Sequence, residues 1–221
     1  YTGPGTGYRP AGGRWDEMQA IPQAKSPEGF IDEQLGEPLS RLADLGPATV
    51  GTQNEVVLAV GPAFGRVMTK TIGALDHEDV LKAILTGIAS EGMVARLVRV
   101  YHTSDCAAIG YVGARLSGSG IAIGLQSRGT AVIHKKELAP LNNLELFPQS
   151  PSLTLETYEH MGRNAARYAL GKTTVPVAVK IDNSARLRLI VKTALLHRRE
   201  TDEVRDDQPP MELRFDWEPD L

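Results

Sequence analysis

The chain has 221 residues, of which 42% are hydrophobic and 23% are charged, and its formal net charge is −3. This composition is that of an ordinary globular protein with one sizeable domain plus arms, or with two small domains. The slightly acidic balance gives no electrostatic reason to expect nucleic-acid binding, and no apolar run approaches the length of a membrane span. The single cysteine, Cys106, excludes an internal disulfide and fits a reducing compartment such as the cytoplasm.

Residues 1–50 are predicted to form an arm outside the main domain. Residues 1–28 are rich in glycine and proline and carry too few apolar side chains to build a core, which is typical of a flexible segment. Apolar side chains between residues 29 and 45 recur at nearly helical spacing and predict a short amphipathic helix. The chain starts at Tyr1 rather than at methionine, so a trimmed chain and a fragment of a longer, fused polypeptide are both open.

Residues 51–200 are predicted to form the main domain, in which strands and helices alternate. Glu55–Val60 is a continuous apolar run, typical of a buried parallel strand. A helix that begins at Asp76-His77-Glu78-Asp79 ends at Gly92, and Asp105 caps a short alanine-rich helix. Further strands are predicted at residues 95–101, 121–125 and 131–135.

The second half of the chain is less regular in pattern. Residues 140–151 and 171–184 are predicted loops, and Thr154 caps a helix that reaches Leu170 between them. Residues 188–199 are apolar with basic edges and fit a helix or a strand equally well. Residues 201–221 are acidic and proline-rich, which predicts an irregular tail.

The order strand, helix, strand, helix, strand predicts an open α/β layer fold with right-handed crossovers. Ligands of such sheets bind beyond the carboxyl ends of the strands. Ser104 and Asp105 directly follow the strand at residues 95–101, so a ligand contact is expected there. Asp105 also fits a simple helix cap, and a carboxylate has enough acceptor positions for both roles.

The segment Arg115–His134 is the most informative part of the chain. Two strand-like runs are each introduced by a loop of small residues, Ser117–Gly120 and Ser127–Thr130. Small residues allow close backbone approach, hydroxyls both donate and accept hydrogen bonds, and Arg128 adds a fixed positive charge. We therefore expect a binding edge for a polar, partly anionic ligand. Two plain surface turns are the alternative.

Other reactive residues give no pattern of a catalytic or metal centre. The five histidines lack the spacing of zinc ligands. Cys106 has no histidine beside it and is predicted to be a packed thiol. Ser119 lacks the sequence context of a serine nucleophile. We therefore expect neither a catalytic residue nor a metal site in this chain.

Three stretches of this segment are Leu116-Ser117-Gly118-Ser119-Gly120-Ile121, Gln126-Ser127-Arg128-Gly129-Thr130 and Val132-Ile133-His134. They closely resemble the medium (β) subunit of adenosylcobalamin-dependent diol and glycerol dehydratases. Further matching motifs are Gly61-Pro62-Ala63-Phe64-Gly65, Ser104-Asp105, Asn143-Leu144-Glu145-Leu146-Phe147-Pro148-Gln149, Leu153-Thr154-Leu155-Glu156-Thr157-Tyr158, Gly162-Arg163-Asn164-Ala165-Ala166-Arg167-Tyr168 and Ala185-Arg186. The resemblance covers roughly Gly51 to Arg199, and its motifs are specific as a set.

The resemblance implies a three-layer α/β/α open mixed sheet, like that of anticodon-binding domains, with one antiparallel strand. It implies a subunit that binds adenosylcobalamin against a large (α) TIM-barrel subunit, in which radical dehydration converts 1,2-diols or glycerol to aldehydes. The implied partners are this large subunit and a small (γ) subunit, in a dimer of heterotrimers, and a reactivating factor. The implied location is the cytoplasm, with a bacterial microcompartment as an alternative. The choice between propane-1,2-diol and glycerol stays open.

The resemblance also implies which residues hold the cofactor. Asp105 would accept a hydrogen bond from a corrin acetamide, and Arg128 would meet the phosphate of the nucleotide tail. The remaining implied contacts are Thr130, Leu141, Asn143, Pro148, Arg186 and Thr193. The chain departs from the family where Arg128 replaces a lysine, Leu189 an aromatic residue and Thr193 a serine. These departures leave the geometry of the contacts open.

Two other functions stay open. One is the small, chaperone-like subunit of the dehydratase-reactivating factor, which shares the fold but is shorter and lacks the region Asn143–Arg199. The other is a scaffold or shell-associated protein without a ligand. For the medium subunit, we expect the partner-facing surface to include Ser117–Gly120 and the loop Leu141–Pro148, with Phe147 as a contact; inward packing of Phe147 is the alternative.

Overall fold

The computed structural model describes residues 27–148, 153–179, 182 and 188–216. Its strands are β1 (Leu42–Pro47), β2 (Glu55–Val60), β3 (Val94–Arg99), β4 (Ile121–Leu125), β5 (Ala131–Lys135), β6 (Glu145–Phe147) and β7 (Met211–Phe215). Its α-helices, within these residues, are α1 (His77–Ala89), α2 (Cys106–Leu116), α3 (Leu155–Ala169) and α4 (Ile190–Thr201). Two short 3-10 helices, Pro27–Phe30 and Asp32–Gln34, precede β1.

The seven strands form one mixed sheet in the order β1-β7-β3-β2-β4-β5-β6. The central strands β3, β2 and β4 are parallel, whereas β7 and β5 run in the opposite direction. The predicted α/β class with an open mixed sheet is confirmed. The single antiparallel strand implied by the family resemblance is wrong, because β7 adds a second one.

Helices cover both faces of the sheet, which gives three layers. Alternate residues of β2 point to opposite faces, and every residue of β2 is buried because both faces are covered. Val56 and Leu58 pack with apolar residues of α1 and α3, whereas Val57 and Ala59 pack with α2. The continuous apolar run in the sequence therefore identified the central strand of the sheet.

Helices α1 and α3 cross at two glycines. A Cβ on Gly87 would lie 2.0 Å from the carbonyl oxygen of Glu159, and one on Gly162 would lie 2.2 Å from that of Ile84. Side chains at either position would push the helix backbones apart. Both glycines are thus required by the close approach of the two helices, not by backbone conformation.

The sheet extends beyond the predicted domain at both ends of the chain. β1 lies in the predicted arm and β7 in the predicted irregular tail, so both assignments are wrong for these residues. Arg96 of β3 explains how an acidic tail joins a sheet, since its Nε and Nη2 donate to Glu212 of β7 at 2.7–3.0 Å. Its Nη1 donates to Glu55 at 3.1 Å, which links three strands. Residues 1–26 of the predicted arm lie outside the described residues.

The amphipathic helix predicted at residues 29–45 is also wrong. The two 3-10 helices and β1 replace it. Gly36 and Pro38 lie in the middle of that segment, and both disfavour a continuous helix. The apolar spacing instead serves separate contacts: Ile31 packs beside Met68, whereas Leu42 packs against the main core.

Helix α4 resolves the open choice at residues 188–199 in favour of a helix. Leu196 and Glu200 are both fully buried and lie four residues apart, on one face of α4. Leu196 packs with Met68 and Ile72, which follow β2. This contact lays α4 across the carboxyl edge of the sheet. In the described part of the chain, we find no helix that is long and apolar enough to cross a membrane.

Candidate functional site

The turn Gln126–Thr130 joins β4 to β5 at the carboxyl edge of the central strands. The backbone N–H of Gly129 donates to Gln126 O, and that of Gln126 donates to Thr130 O, both at 2.9 Å. Gly129 has a φ of +101°, a conformation that side chains disfavour. The glycine in this motif therefore closes the tight turn that presents Arg128.

Three helices hold this turn by hydrogen bonds. His77 of α1 donates from Nε2 to Ser127 O at 2.7 Å, and Tyr158 of α3 donates to Gly129 O at 2.8 Å. Glu200 of α4 accepts from the Ser127 N–H at 3.0 Å and from its hydroxyl at 2.7 Å. The turn is thus fixed before any ligand arrives, as a specific binding site requires.

The protonation of His77 follows from its contacts. Its Nδ1 accepts from the Gly65 N–H at 3.1 Å, so Nε2 carries the single ring proton and donates to Ser127 O. Burial lowers the pKa of His77 to about 3. A charged imidazole would also lose the Nδ1 acceptor, so the ring is neutral at physiological pH.

Arg128 is half-buried at the tip of the turn. Its Nε donates to Gln126 Oε1 at 3.1 Å, and Gln126 Nε2 in turn donates to Ser104 O. Burial lowers the pKa of Arg128, and the nearby Glu200 carboxylate opposes this shift. Burial raises the pKa of Glu200 to about 7, against the hydrogen bonds from Ser127 and the charge of Arg128. The guanidinium is therefore held in place and keeps its charge.

Arg128 interacts electrostatically with Asp105 and His197, and Thr130 lies two residues further along the same turn. Asp105 caps α2, and its Oδ1 accepts from the Ala108 N–H at 2.8 Å, so the predicted cap is confirmed. Burial is the main cause that lowers the pKa of His197. The charge of Arg128 lowers this pKa further, whereas the charge of Asp105 raises it. Within the described residues, His197 Nδ1 and Thr130 Oγ1 are shielded from solvent and have no hydrogen-bond partner. Two polar atoms thus lack a protein partner beside a cation and a carboxylate.

Helix α4 supplies one predicted residue and one that the motifs missed. Thr193 lies four residues before His197, so both are on the same face of α4. In the sequence, His197 is one of five histidines that lack the spacing of zinc ligands, and no local pattern places it beside Arg128. Arg186, another predicted contact, lies outside the described residues.

The remaining predicted contacts lie along β6. Pro148 follows β6 next to Ala131, at the same edge as Thr130, because Phe147 pairs with Ala131. Leu141 and Asn143 precede β6, at the opposite end of β5. Leu141 is highly exposed and Asn143 is half-buried. The structure therefore does not gather all predicted contacts into one cluster.

The two loops expected to form one binding edge lie at opposite ends of β4. Ser117–Gly120 precedes β4 and Ser127–Thr130 follows it, and a five-residue strand separates them by roughly 16 Å. Gly118 packs on Thr52, and its N–H donates to Glu55 at 3.4 Å. The expectation of a single edge is wrong, and Ser117–Gly120 is a turn that is partly buried rather than a plain surface turn.

The loop expected to face a partner is partly inside the core. Phe147 is 1% exposed and packs in the main core, so its expected role as a contact is wrong and the inward alternative is confirmed. Glu145 fixes the same loop, since it accepts from Asn164 at 2.9 Å and from the Val177 N–H at 2.9 Å. Leu146 is 56% exposed and is the apolar side chain that β6 presents outward.

Cys106 is buried at the start of α2, as predicted for a packed thiol. Its single S–H is shared between two acceptors, Gly124 O at 3.5 Å and Thr130 O at 3.4 Å from Sγ. Burial raises the pKa of the thiol, and the carboxylate of Asp105 adds to this. In the part of the chain that the structure describes, no three His, Cys, Asp or Glu side chains are grouped to hold a metal ion.

Comparison with known families identifies this arrangement. A family model described as the dehydratase medium subunit matches residues 61–174, just over half of the chain. The chain belongs to the dehydratase medium-subunit family. The matched region contains the turn with Arg128, the cap Asp105 and the residues of β6. The resemblance predicted from the motifs is confirmed, and the medium subunit is favoured over the reactivating-factor subunit.

Two solved structures are similar to part of the chain. One is described as a glycerol dehydratase reactivase, with 17% identity and a TM-score of 0.45, and the match covers 55% of this chain and 96% of that chain. The other is a diol dehydratase-reactivating factor complexed with ADP and Mg²⁺, with 21% identity and a TM-score of 0.42. That match covers 54% of this chain and 94% of the other.

Proposed function

We propose that this medium subunit binds adenosylcobalamin against the large subunit of a diol or glycerol dehydratase and carries no catalytic residue itself. The proposed partners are a TIM-barrel large subunit and a small subunit, in a dimer of heterotrimers that a reactivating factor serves. The proposed location is the cytoplasm, with a bacterial microcompartment as the alternative. The observation that carries the proposal is the pair of unpartnered polar atoms, Thr130 Oγ1 and His197 Nδ1, beside Arg128 in a dehydratase-family chain.

The chemistry of these side chains fits cobalamin. The corrin ring carries uncharged amides, which need both donors and acceptors, and its nucleotide tail carries a phosphate, which needs a cation. Asp105 offers an acceptor, Thr130 offers both roles, and Arg128 offers the cation. A buried polar atom without a hydrogen-bond partner costs about 1–3 kcal/mol. Hydrogen bonds to the amide groups of bound cobalamin would explain why the chain keeps two such atoms here.

The protein side of this proposal is one of binding and orientation. Adenosylcobalamin, when bound, supplies the radical chemistry. The turn held by α1, α3 and α4 presents Arg128 in one position, and Asp105 and His197 lie close enough to interact with its charge. Pro148 would pack near the nucleotide base, whereas Leu141, Asn143 and Thr193 would contact more distant groups of this large cofactor, as would Arg186.

The first test replaces the cation. Arg128→Gln in the complex with the large and small subunits should weaken cobalamin binding by about 1–3 kcal/mol, the scale of a hydrogen bond to a charged group. Arg115→Gln is the matched control, because Arg115 lies on α2, with its guanidinium over the ring of Tyr111. Titration with cyanocobalamin, followed by absorbance, measures both. Equal affinities for the two variants would remove Arg128 from the site.

The second test separates a ligand contact from a structural role. Thr130→Val keeps the shape of the side chain but removes a hydroxyl that bonds to no described residue. The free energy of unfolding should stay the same or rise, while cobalamin binding should weaken by about 0.5–1.5 kcal/mol. A variant that loses stability but binds cobalamin normally would contradict the proposal.

A further inference from the structure

A second group of cations lies at the same edge of the sheet, on the other side of β2 from Arg128. Arg66 follows β2, Arg99 ends β3 and Arg205 follows α4. Their guanidinium carbons lie 5.5, 5.8 and 5.3 Å from the ring centroid of Tyr101. These side chains line a cavity of about 300 Å³ together with Asp44, Gly65 and Gln208.

Hydrogen bonds organise the cavity around the Tyr101 hydroxyl. This hydroxyl donates to Asp44 at 2.7 Å and accepts from Arg66 Nη1 at 3.0 Å. Arg99 donates from Nη1 to Phe64 O and from Nε to Asp44 at a longer distance of 3.4 Å. Its Nη2 donates to no described residue. Asp44 is therefore shared between a tyrosine and an arginine and cannot satisfy the other two guanidinium groups.

The charges in the cavity do not balance. Three arginines face one carboxylate, and in the described part of the chain Arg66 and Arg205 form no salt bridge. Glu200 also interacts electrostatically with Arg99. Its carboxylate, however, accepts hydrogen bonds from Ser127 and interacts with the charge of Arg128 as well. The cavity thus keeps an excess of about two positive charges, which a bound anion would neutralise.

A buried guanidinium distinguishes this cluster from a chance grouping of surface arginines. Arg99 is 1% exposed, so its charge is fixed in a poorly solvated position and its donors point along defined directions. Arg66 is half-buried and Arg205 is exposed, so the cavity opens to solvent on one side. A small ligand can enter without movement of the sheet.

We infer that this cavity binds a phosphoryl group, as inorganic phosphate or as a phosphate monoester. A phosphate monoester carries about −1.5 to −2 charges at pH 7, which matches the excess, whereas a single carboxylate would leave half of it. Arginine forks suit the several oxygens of a phosphate better than a lone acceptor does. This site is separate from the one around Arg128 and does not depend on the proposed cobalamin binding.

The test uses the full chain and inorganic phosphate, titrated by calorimetry at constant ionic strength. Wild type should bind phosphate saturably, and the double variant Arg66→Gln/Arg205→Gln should bind it at least about tenfold more weakly, since two charged donors are lost. Arg115→Gln, which removes the arginine over the Tyr111 ring, should bind as wild type does. Acetate should bind wild type at least about tenfold more weakly than phosphate.

Four results would overturn the inference: no saturable binding by wild type, equal affinity in the double variant, acetate binding as tightly as phosphate, or loss of phosphate binding in Arg128→Gln alone. Phosphate stabilises folded proteins in general, so affinity and not melting temperature is the readout. Both replaced arginines are at least partly exposed and Arg99 stays in place, so the double variant should fold, which circular dichroism checks. If it does not, Arg66→Gln alone serves, with the same comparison to Arg115→Gln.

Discussion

The carboxylate of Glu200 accepts hydrogen bonds from both the backbone N–H and the hydroxyl of Ser127, 73 residues earlier in the chain. Glu200 is fully buried at the end of α4, and Ser127 precedes Arg128 in the turn after β4. A Cβ on Gly61 would lie 2.0 Å from Glu200 Oε1, so the end of β2 is shaped to admit this carboxylate. The contact therefore holds α4 against the turn that carries Arg128, the residue proposed to bind the phosphate of cobalamin.

Glu200 should make stability fall as pH rises. Its folded pKa is about 7 against an ordinary value of 4.5, so the folded chain keeps this proton between those two pH values while the unfolded chain has lost it. The contribution is fully present below about 4.5 and is lost as pH rises through 7. Urea unfolding at pH 5 and pH 8 should show Glu200→Gln gaining stability relative to wild type at the higher pH. A pH-independent difference would contradict the assignment.

His77 should act in the opposite direction. Its folded pKa is about 3 and its ordinary value is 6.5, so the stability it contributes is present above 6.5 and is lost as pH falls from there toward 3. His77→Phe keeps a flat ring against Phe64, on which His77 stacks at 3.9 Å. The variant should be less stable at pH 7, since two hydrogen bonds are lost, but should lose less stability between pH 6.5 and 4. Parallel pH profiles for variant and wild type would refute this role.

Gly162→Ala should destabilise the fold although alanine is the better helix former. Helix propensity favours alanine by about 1 kcal/mol, but the new Cβ would lie 2.2 Å from Ile84 O, and overpacking costs about 1–3 kcal/mol. The free energy of unfolding should therefore fall. Thr86→Ala, at an exposed position of α1, is the control and should change little. A gain in stability for Gly162→Ala would show that the two helices separate easily.

Cys106 should be unreactive in the folded chain. Its thiol is buried and its pKa is raised by burial, so little thiolate is present and a reagent cannot reach it. Ellman's reagent should label the native protein far more slowly than the same protein in urea, where one thiol per chain should react. Equally fast labelling in both conditions would mean that the start of α2 opens readily.

Local patterns predicted the central part of the fold well. The apolar run of β2, the cap at Asp105 and the glycine-closed turn before β5 each depend on neighbours in sequence, and the structure contains all three. The predictions for residues 42–47 and 211–215 failed for a common reason. β1 and β7 acquire their hydrogen bonds from each other, far apart in the chain, and Arg96 supplies the distant partner for Glu212.

The candidate site divides in the same way. The sequence by itself determined the dehydratase medium-subunit family, the turn with Arg128 and the acceptor Asp105, because these features reside in short motifs with fixed chemistry. Only the tertiary structure decided that Ser117–Gly120 lies at the other end of β4, since strand length and direction set that separation. The tertiary structure alone also places His197 beside Arg128 and three arginines around Tyr101. These contacts join segments that no local sequence pattern relates.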